Sequence, residues 1–299
     1  MNSGFLNLVK PPGLTSHDLV SAMRALCGRA KVGHAGTLDP AAAGVLVLAV
    51  GPATRLSQYL QDFTKAYRAV FTFGITTDSA DAEGTVTLRE PASTLTPEAV
   101  TATLAELTGE ITMVPPAYSA VHVQGKRAYE LARKGDRTDL PPRTVHVSRL
   151  QMLQFTDGDF PCATVDVECS KGTYVRSLAV MAGERLGCGA YLSVLVRTEV
   201  GPHRLEAATT MAELARDGLA AHLISPAKAL DHLPAVSLEQ TEVEAVRNGR
   251  QIPAQPHDIP DEMTRLLDPK GHLVAVAEWV NHATGTVLQP RTVLPAPAS

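Results

Sequence analysis

The longest apolar run in the chain, residues 41–50, lies between a glycine-rich loop, Gly33-His-Ala-Gly-Thr-Leu-Asp-Pro40, and the breaker pair Gly51-Pro52. It is about half the roughly 20 residues needed to cross a bilayer. Its later part, Val45-Leu-Val-Leu-Ala-Val50, reads as a buried strand that follows a polar loop. Burying it takes a substantial core, which 44% hydrophobic against 19% charged residues allows and which a disordered chain lacks. At 299 residues the chain is long for one compact domain, so a larger domain with a small accessory one is expected.

The other elements follow from periodicity and punctuation. Residues 5–10 form a strand stopped by Pro11-Pro12-Gly13, and Ser16 is the expected N-cap of a helix with Leu19, Val20, Met23 and Leu26 inward and Gly28 as its stop. Residues 66–73 alternate, with Tyr67, Ala69, Phe71 and Phe73 on one face. Thr96-Pro97 opens a helix to Leu107, and residues 127–134 form a shorter one ended by Gly135. Val165, Val167 and Cys169 alternate with Thr164, Asp166 and Glu168; a tight loop at Lys171-Gly172-Thr173 then leads into a helix through Leu186. Beyond Pro226 come a short helix ending at Asn248-Gly249 and a hairpin signature over residues 266–276. These place a boundary near Leu233, with domains 1–232 and 233–299 and a short disordered tail from Pro295.

Charge and cysteine content narrow the class. A net charge of −4 argues against a uniformly basic nucleic-acid binder, but the distribution is uneven. Residues 119–149 carry seven Lys and Arg against three acids, and the first 70 residues repeat that ratio. Four cysteines without CxxC spacing suggest neither zinc site nor disulfide framework, and the N-terminus lacks a basic n-region and apolar h-region. A cytoplasmic protein without a membrane partner is expected.

Three segments carry the functional signal: Lys10-Pro-Pro-Gly-Leu-Thr-Ser-His17, the Gly33 to Pro40 loop, and Lys171-Gly-Thr-Tyr-Val-Arg176. In order and approximate spacing they resemble the motifs of the TruB family of tRNA pseudouridine-55 synthases. Lys65-Ala-Tyr-Arg68 resembles the family's tyrosine-bearing strand, and the segment from Pro115 to Tyr129 its RNA-gripping insertion, placed at about residues 115–140. The likeness spans roughly residues 7–200, and the C-terminal hairpin region is similar to a PUA-type RNA-binding module. It implies a mixed α+β pseudouridine synthase fold with a bent, largely antiparallel sheet and flanking helices, then a small β-rich domain.

Making pseudouridine breaks the N1 to C1′ bond, turns the uracil and rejoins it through C5. Nothing is oxidised, reduced or hydrolysed, so no cofactor is expected, and the ten histidines show no ligand spacing that suggests a metal. What the reaction needs is a carboxylate beside the sugar, to attack, to stabilise an oxocarbenium-like C1′, or to take the C2′ proton. The resemblance assigns that role to Asp39, which taken alone would read as a turn aspartate before proline. It pairs Arg176 with Asp39, keeping the carboxylate ionised and in position, and gives Tyr67 to stacking and proton handling. Substrate contacts are assigned to Tyr174 and Leu195 at the base, His34 where the flipped uridine leaves the RNA stack, Lys10 in the N-terminal motif, which in the family supports the active-site loop, and Lys126 and Arg127 on backbone phosphates. Two departures are visible: Ala43 stands where the family commonly has Thr, and Val196 where it commonly has a further Arg.

The expected partner is the T arm of tRNA, with no obligatory protein partner and a monomeric chain. Two alternatives stay open. One is a synthase for another RNA or under guide-RNA direction, as in the dyskerin family, which would be inactive alone; the other is a non-catalytic RNA-binding or RNA-folding protein, against which Asp39, Tyr67 and Arg176 together count.

Overall fold

The computed structural model describes residues 3–28, 30–119, 122–123, 126–127, 140–254, 263–283 and 285–296. Its main sheet holds seven principal strands: β1 (Gly4–Lys10), β2 (Ala43–Val50), β3 (Lys65–Phe73), β4 (Gly109–Met113), β5 (Arg143–Thr156), β6 (Cys162–Cys169) and β7 (Ala190–Val200). They lie in the order β1-β2-β7-β3-β6-β5-β4. Every neighbouring pair is antiparallel except β2 and β7, which meet in parallel over Val196↔Ala43 and Arg197↔Gly44. This short seam is where Gly44 is required: its φ is +107°, and a Cβ there would sit 2.1 Å from the Arg197 carbonyl oxygen. Only glycine lets the two backbones come this close.

The apolar run is explained by cover on both faces. Leu6, Leu8, Leu46, Leu48 and Val50 pack under α1 (Ser16–Leu26) with Leu19, Val20 and Met23. Phe5, Val45, Val47 and Ala49 pack into a second cluster behind the sheet. A strand buried on both faces loses its alternation. By contrast β6 keeps a strict alternation, with Ala163, Val165, Val167 and Cys169 inward, because its core lies on one face under α2 (Pro97–Glu106) and α3 (Val175–Arg185).

Local chemistry sets the ends of the helices. Thr96 caps α2 by accepting the Ala99 N–H, as its Thr-Pro pair predicts. For α1 the expected cap is off by one residue: Thr15, not Ser16, takes the Asp18 N–H at 3.1 Å while the Asp18 carboxylate accepts the Thr15 N–H. Leu26, expected inward, is exposed in the last turn. The helix expected over residues 127–134 begins differently, since Lys126–Arg127 pairs with His122–Val123 as a two-residue ladder; residues 128–139 lie outside the described residues. So does most of the expected disordered tail, 297–299. No helix among the described residues is long and apolar enough to cross a membrane.

A second sheet, β8 (Ala235–Ser237), β9 (Ile252–Pro253), β10 (Thr264–Leu267), β11 (Leu273–His282) and β12 (Gly285–Val293), runs in the order β8-β10-β11-β12-β9 and packs on α4 (Gln240–Arg247). The expected hairpin is β10 and β11, its turn closed by the Asp268 carboxylate, which accepts the backbone N–H groups of Lys270 and His272. This sheet is not loosely tethered. Leu273, Val276 and Leu294 share the cluster of Phe5, Val45, Val47 and Ala49. The Tyr59 hydroxyl meets Thr292 Oγ1 at 2.8 Å, and Arg55 donates to the Val293 carbonyl at 3.0 Å.

The shared cluster makes the two units melt together. Leu273→Ala should lower stability by about 2–4 kcal/mol within a single calorimetric transition. A separate low-temperature transition, with the main one unmoved, would show that the second sheet unfolds alone.

Candidate active site

The loop between the strand Val32–His34 and β2 carries Asp39, and its backbone is held by donors from three distant parts of the chain. Arg197 of β7 donates to the carbonyls of Gly36 and Thr37, both at 3.2 Å, and to that of Val45 at 2.8 Å. Ser16 Oγ donates to the Leu38 carbonyl at 3.0 Å and accepts the Leu38 N–H at 2.8 Å. Ala42 N–H donates to the Asp39 carbonyl. The Pro40 carbonyl accepts from Lys10 Nζ at 3.0 Å and from the Gly13 N–H at 2.8 Å. Each carbonyl from residue 36 to residue 40 thus has a donor, as buried backbone requires. A loop pinned in this way fixes the course of its backbone at Asp39 without itself forming a helix or strand.

The Asp39 carboxylate meets Arg176 across 3.0 Å. Arg176 sits in the first turn of α3, 3% exposed, and its guanidinium also donates to the carbonyls of Tyr118 at 2.8 Å and Ser79 at 3.1 Å. A second carboxylate, Asp81, lies 3.4 Å from the same guanidinium. Asp81 is itself buried, accepting from Ser79 Oγ at 2.5 Å and from the Glu83 N–H at 3.1 Å. The adjoining Ala80 is held at φ +62°, with its carbonyl bonded to the Leu192 N–H. One cation therefore serves two acids. Burial, reinforced by the Asp81 charge, pushes the Asp39 carboxyl above its ordinary range, while Arg176 and Lys10 work against that rise. The sequence-based expectation that Arg176 contacts Asp39 holds geometrically, but Arg176 offsets the burial without reversing it.

Asp39, Arg176, Tyr67, Tyr174 and Leu195 line one recess of about 570 Å³, and 36% of the Asp39 side chain remains exposed. Tyr67 is supplied by β3, Leu195 by β7, and Tyr174 by the residue that caps α3. Burial pushes the Tyr67 phenol up, partly offset by the Arg197 guanidinium, so at neutral pH it remains a hydrogen-bond donor. The rim is basic: Arg143 lies 5.8 Å from the Tyr174 ring centre, and Lys171 is paired with Asp62 at 2.5 Å. Lys65, at the edge of the recess, donates to the carbonyls of Gln61 and Phe63, and burial with the nearby Arg197 charge lowers its ammonium to about 8.

Other assigned residues fall elsewhere. Lys10 is corrected from a substrate contact to a support: it is fully buried, and its three N–H bonds go to the carbonyls of Pro11, Leu14 and Pro40. Burial lowers its ammonium below the usual value, against the pull of the Asp39 charge. His34 ends its strand outside the recess lining, and its Nδ1 accepts the Gly36 N–H at 3.4 Å. Lys126 and Arg127 are described only as backbone in their two-residue strand. Sequence reasoning missed Asp81, Arg197 and the bonds of Ser16 to Leu38. Arg197 was visible only as the residue after Val196, and Asp81 only as one acid in the turn-like Asp78-Ser-Ala-Asp-Ala-Glu-Gly84.

A family model described as "TruB family pseudouridylate synthase (N terminal domain)" matches residues 24–175. The chain is 50% identical to "tRNA pseudouridine synthase B" of Symbiobacterium thermophilum over 82% of each chain. To the protein of the same name from Moorella thermoacetica it is 42% identical, over 98% of this chain and all of the relative. Among solved structures, a chain of the "Crystal Structure of a Cbf5-Nop10-Gar1 Complex" superimposes with a TM-score of 0.73 at 27% identity, covering 97% of this chain and 84% of that one.

The raised Asp39 carboxyl has a consequence for stability. A carboxyl raised in the folded state favours the protonated form there, so ionising it costs stability above the folded value and nothing below the ordinary one. The melting temperature of Asp39→Asn relative to the wild type should therefore become more favourable as pH rises above the ordinary aspartate value, and level off once the folded carboxyl is ionised. The opposite trend would mean that Arg176 outweighs burial.

Proposed function

The chain belongs to the TruB family of pseudouridylate synthases, and from that membership we propose that it isomerises a uridine in the T loop of tRNA, at position 55, to pseudouridine. The observation that carries the reading is the Asp39 carboxylate, ion-paired at 3.0 Å and partly exposed, on the wall of a recess with tyrosine and leucine sides. A uridine within a folded T loop reaches such a recess only if it is flipped out of the stack. About 570 Å³ suits one nucleoside.

The reaction is balanced within the substrate: the N1–C1′ bond breaks, a C5–C1′ bond forms, and the proton lost from C5 is matched by one gained at N1. In every route open to Asp39, whether attack or removal of the C2′ proton, the reacting group is its ionised carboxylate. Arg176 holds that carboxylate and compensates its charge as the recess closes on the base. The Tyr67 ring supplies a flat face for the uracil, and Leu195 and Tyr174 complete the wall. Arg143, on the rim, would meet phosphates flanking the flipped nucleotide, as would Lys171 on exchanging its Asp62 partner.

Residues 233–299 act on this reading as an accessory RNA-binding module of PUA type, and the insertion at about residues 115–140, with Lys126 and Arg127, grips backbone phosphates. His34 supports the loop through Gly36, and on this reading it meets the RNA where the flipped uridine leaves the stack. The protein works as a monomer in the cytoplasm, without protein partner or guide RNA.

Purified protein incubated with unmodified tRNA transcripts, without added cofactor and with pseudouridine mapped by nucleotide, tests this. One modified uridine in the T loop is expected, unaffected by EDTA on a stably folded T-arm hairpin. Asp39→Asn should bind the hairpin while its turnover falls at least 10³-fold. Modification solely outside the T loop would overturn the substrate, and wild-type turnover by Asp39→Asn would overturn the mechanism.

A further inference from the structure

Ser119 is one of the residues lining the recess, and it is 4% exposed. Its hydroxyl oxygen is buried and has no hydrogen-bond partner among the described residues. Leaving a buried hydroxyl unpaired costs roughly 1–3 kcal/mol, so an alanine there would fold at least as well. The segment that carries it is not free to turn away. Arg176 donates to the carbonyl of the preceding Tyr118 at 2.8 Å, and Ser177 Oγ donates to that of Val114 at 2.8 Å, so the first turn of α3 presents Ser119 beside the ion pair of Asp39.

We propose that Ser119 is a substrate-contacting residue whose hydroxyl hydrogen-bonds the polar edge of the flipped uracil. This rests on the reading of the recess as a nucleoside site. A flipped base enters deepest and leaves its water behind, while its ribose and phosphates remain nearer the mouth because the strand continues there. The two carbonyls and the N3–H of the uracil then need partners inside. The walls given by Leu195 and the ring of Tyr67 are apolar and serve the faces of the base, so its edge falls to the polar groups of the lining, among which the hydroxyls of Ser119 and Thr173 are buried without a partner among the described residues. A hydroxyl, both donor and acceptor, matches any of those three groups.

The test compares full-length wild type and Ser119→Ala on a T-arm hairpin with a uridine at the target position, and on the same hairpin with an abasic target. Expected for Ser119→Ala are a melting temperature equal to or above wild type, kcat/KM on the uridine hairpin lower by about five- to tenfold, and an unchanged Kd for the abasic hairpin. Unchanged kcat/KM would overturn the contact. A lowered melting temperature would make Ser119 structural, and an equal loss of affinity for the abasic hairpin would move the contact to the sugar-phosphate backbone. Either result defeats the proposal. A wild type inactive on the uridine hairpin would instead sink the nucleoside reading itself.

Discussion

Everything at this site depends on the carbonyls of residues 36–40 each having a donor, all but that of Asp39 from outside the loop. Two buried cations, Lys10 and Arg197, are spent on main-chain carbonyls: Lys10 on Pro11, Leu14 and Pro40, and Arg197 on Gly36, Thr37 and Val45. Burying an ammonium or guanidinium is costly, and multiple strong acceptors are what make it tolerable. The loop gains in return a fixed course without regular secondary structure. Arg197 ties it to the β2–β7 seam that joins the two halves of the main sheet, and Gly44 makes that approach possible. Site and fold therefore share one joint.

On this frame the electrostatics of the carboxylate become intelligible. If Arg176 served Asp39 alone, an unusually acidic and weakly basic aspartate would result. Dividing the guanidinium between Asp39 and Asp81, two carbonyls taking further bonds, leaves Asp39 positioned but still basic. On the proposed mechanism this is pre-organisation of a reactive charge, its partner already fixed in the structure. The strained Ala80 and the short Ser79–Asp81 bond belong to the same device, since they hold the competing acid in place.

Periodicity made most of the fold legible, because burial on one or both faces leaves a pattern in the side chains. The alternation of β6 and the Thr-Pro start of α2 are examples. Caps were less legible where two hydroxyls adjoin: Thr15 and Ser16 are equally good candidates, and only the loop at Leu38, far along the chain, claims Ser16. Asp39, Tyr67 and Arg176 were legible through motif resemblance. Asp81 and Arg197 were not, since their roles arise from tertiary contacts that no local pattern records. Lys10 shows the converse error: a lysine in a conspicuous motif reads as a substrate contact until its ammonium is found sealed among carbonyls.

The division of Arg176 between two acids is tested most directly by the pH profile of the single-turnover rate on a T-arm hairpin, in wild type and in Asp81→Asn. The wild-type acid limb should fall above the ordinary aspartate range, because the proposed mechanism needs the ionised Asp39 and burial raises its pKa. Removing the Asp81 charge takes away one of the influences that raise it, so the limb should move to lower pH while the plateau drops as Arg176 loses an anchor. An acid limb that stays in place, or moves upward, would contradict the account.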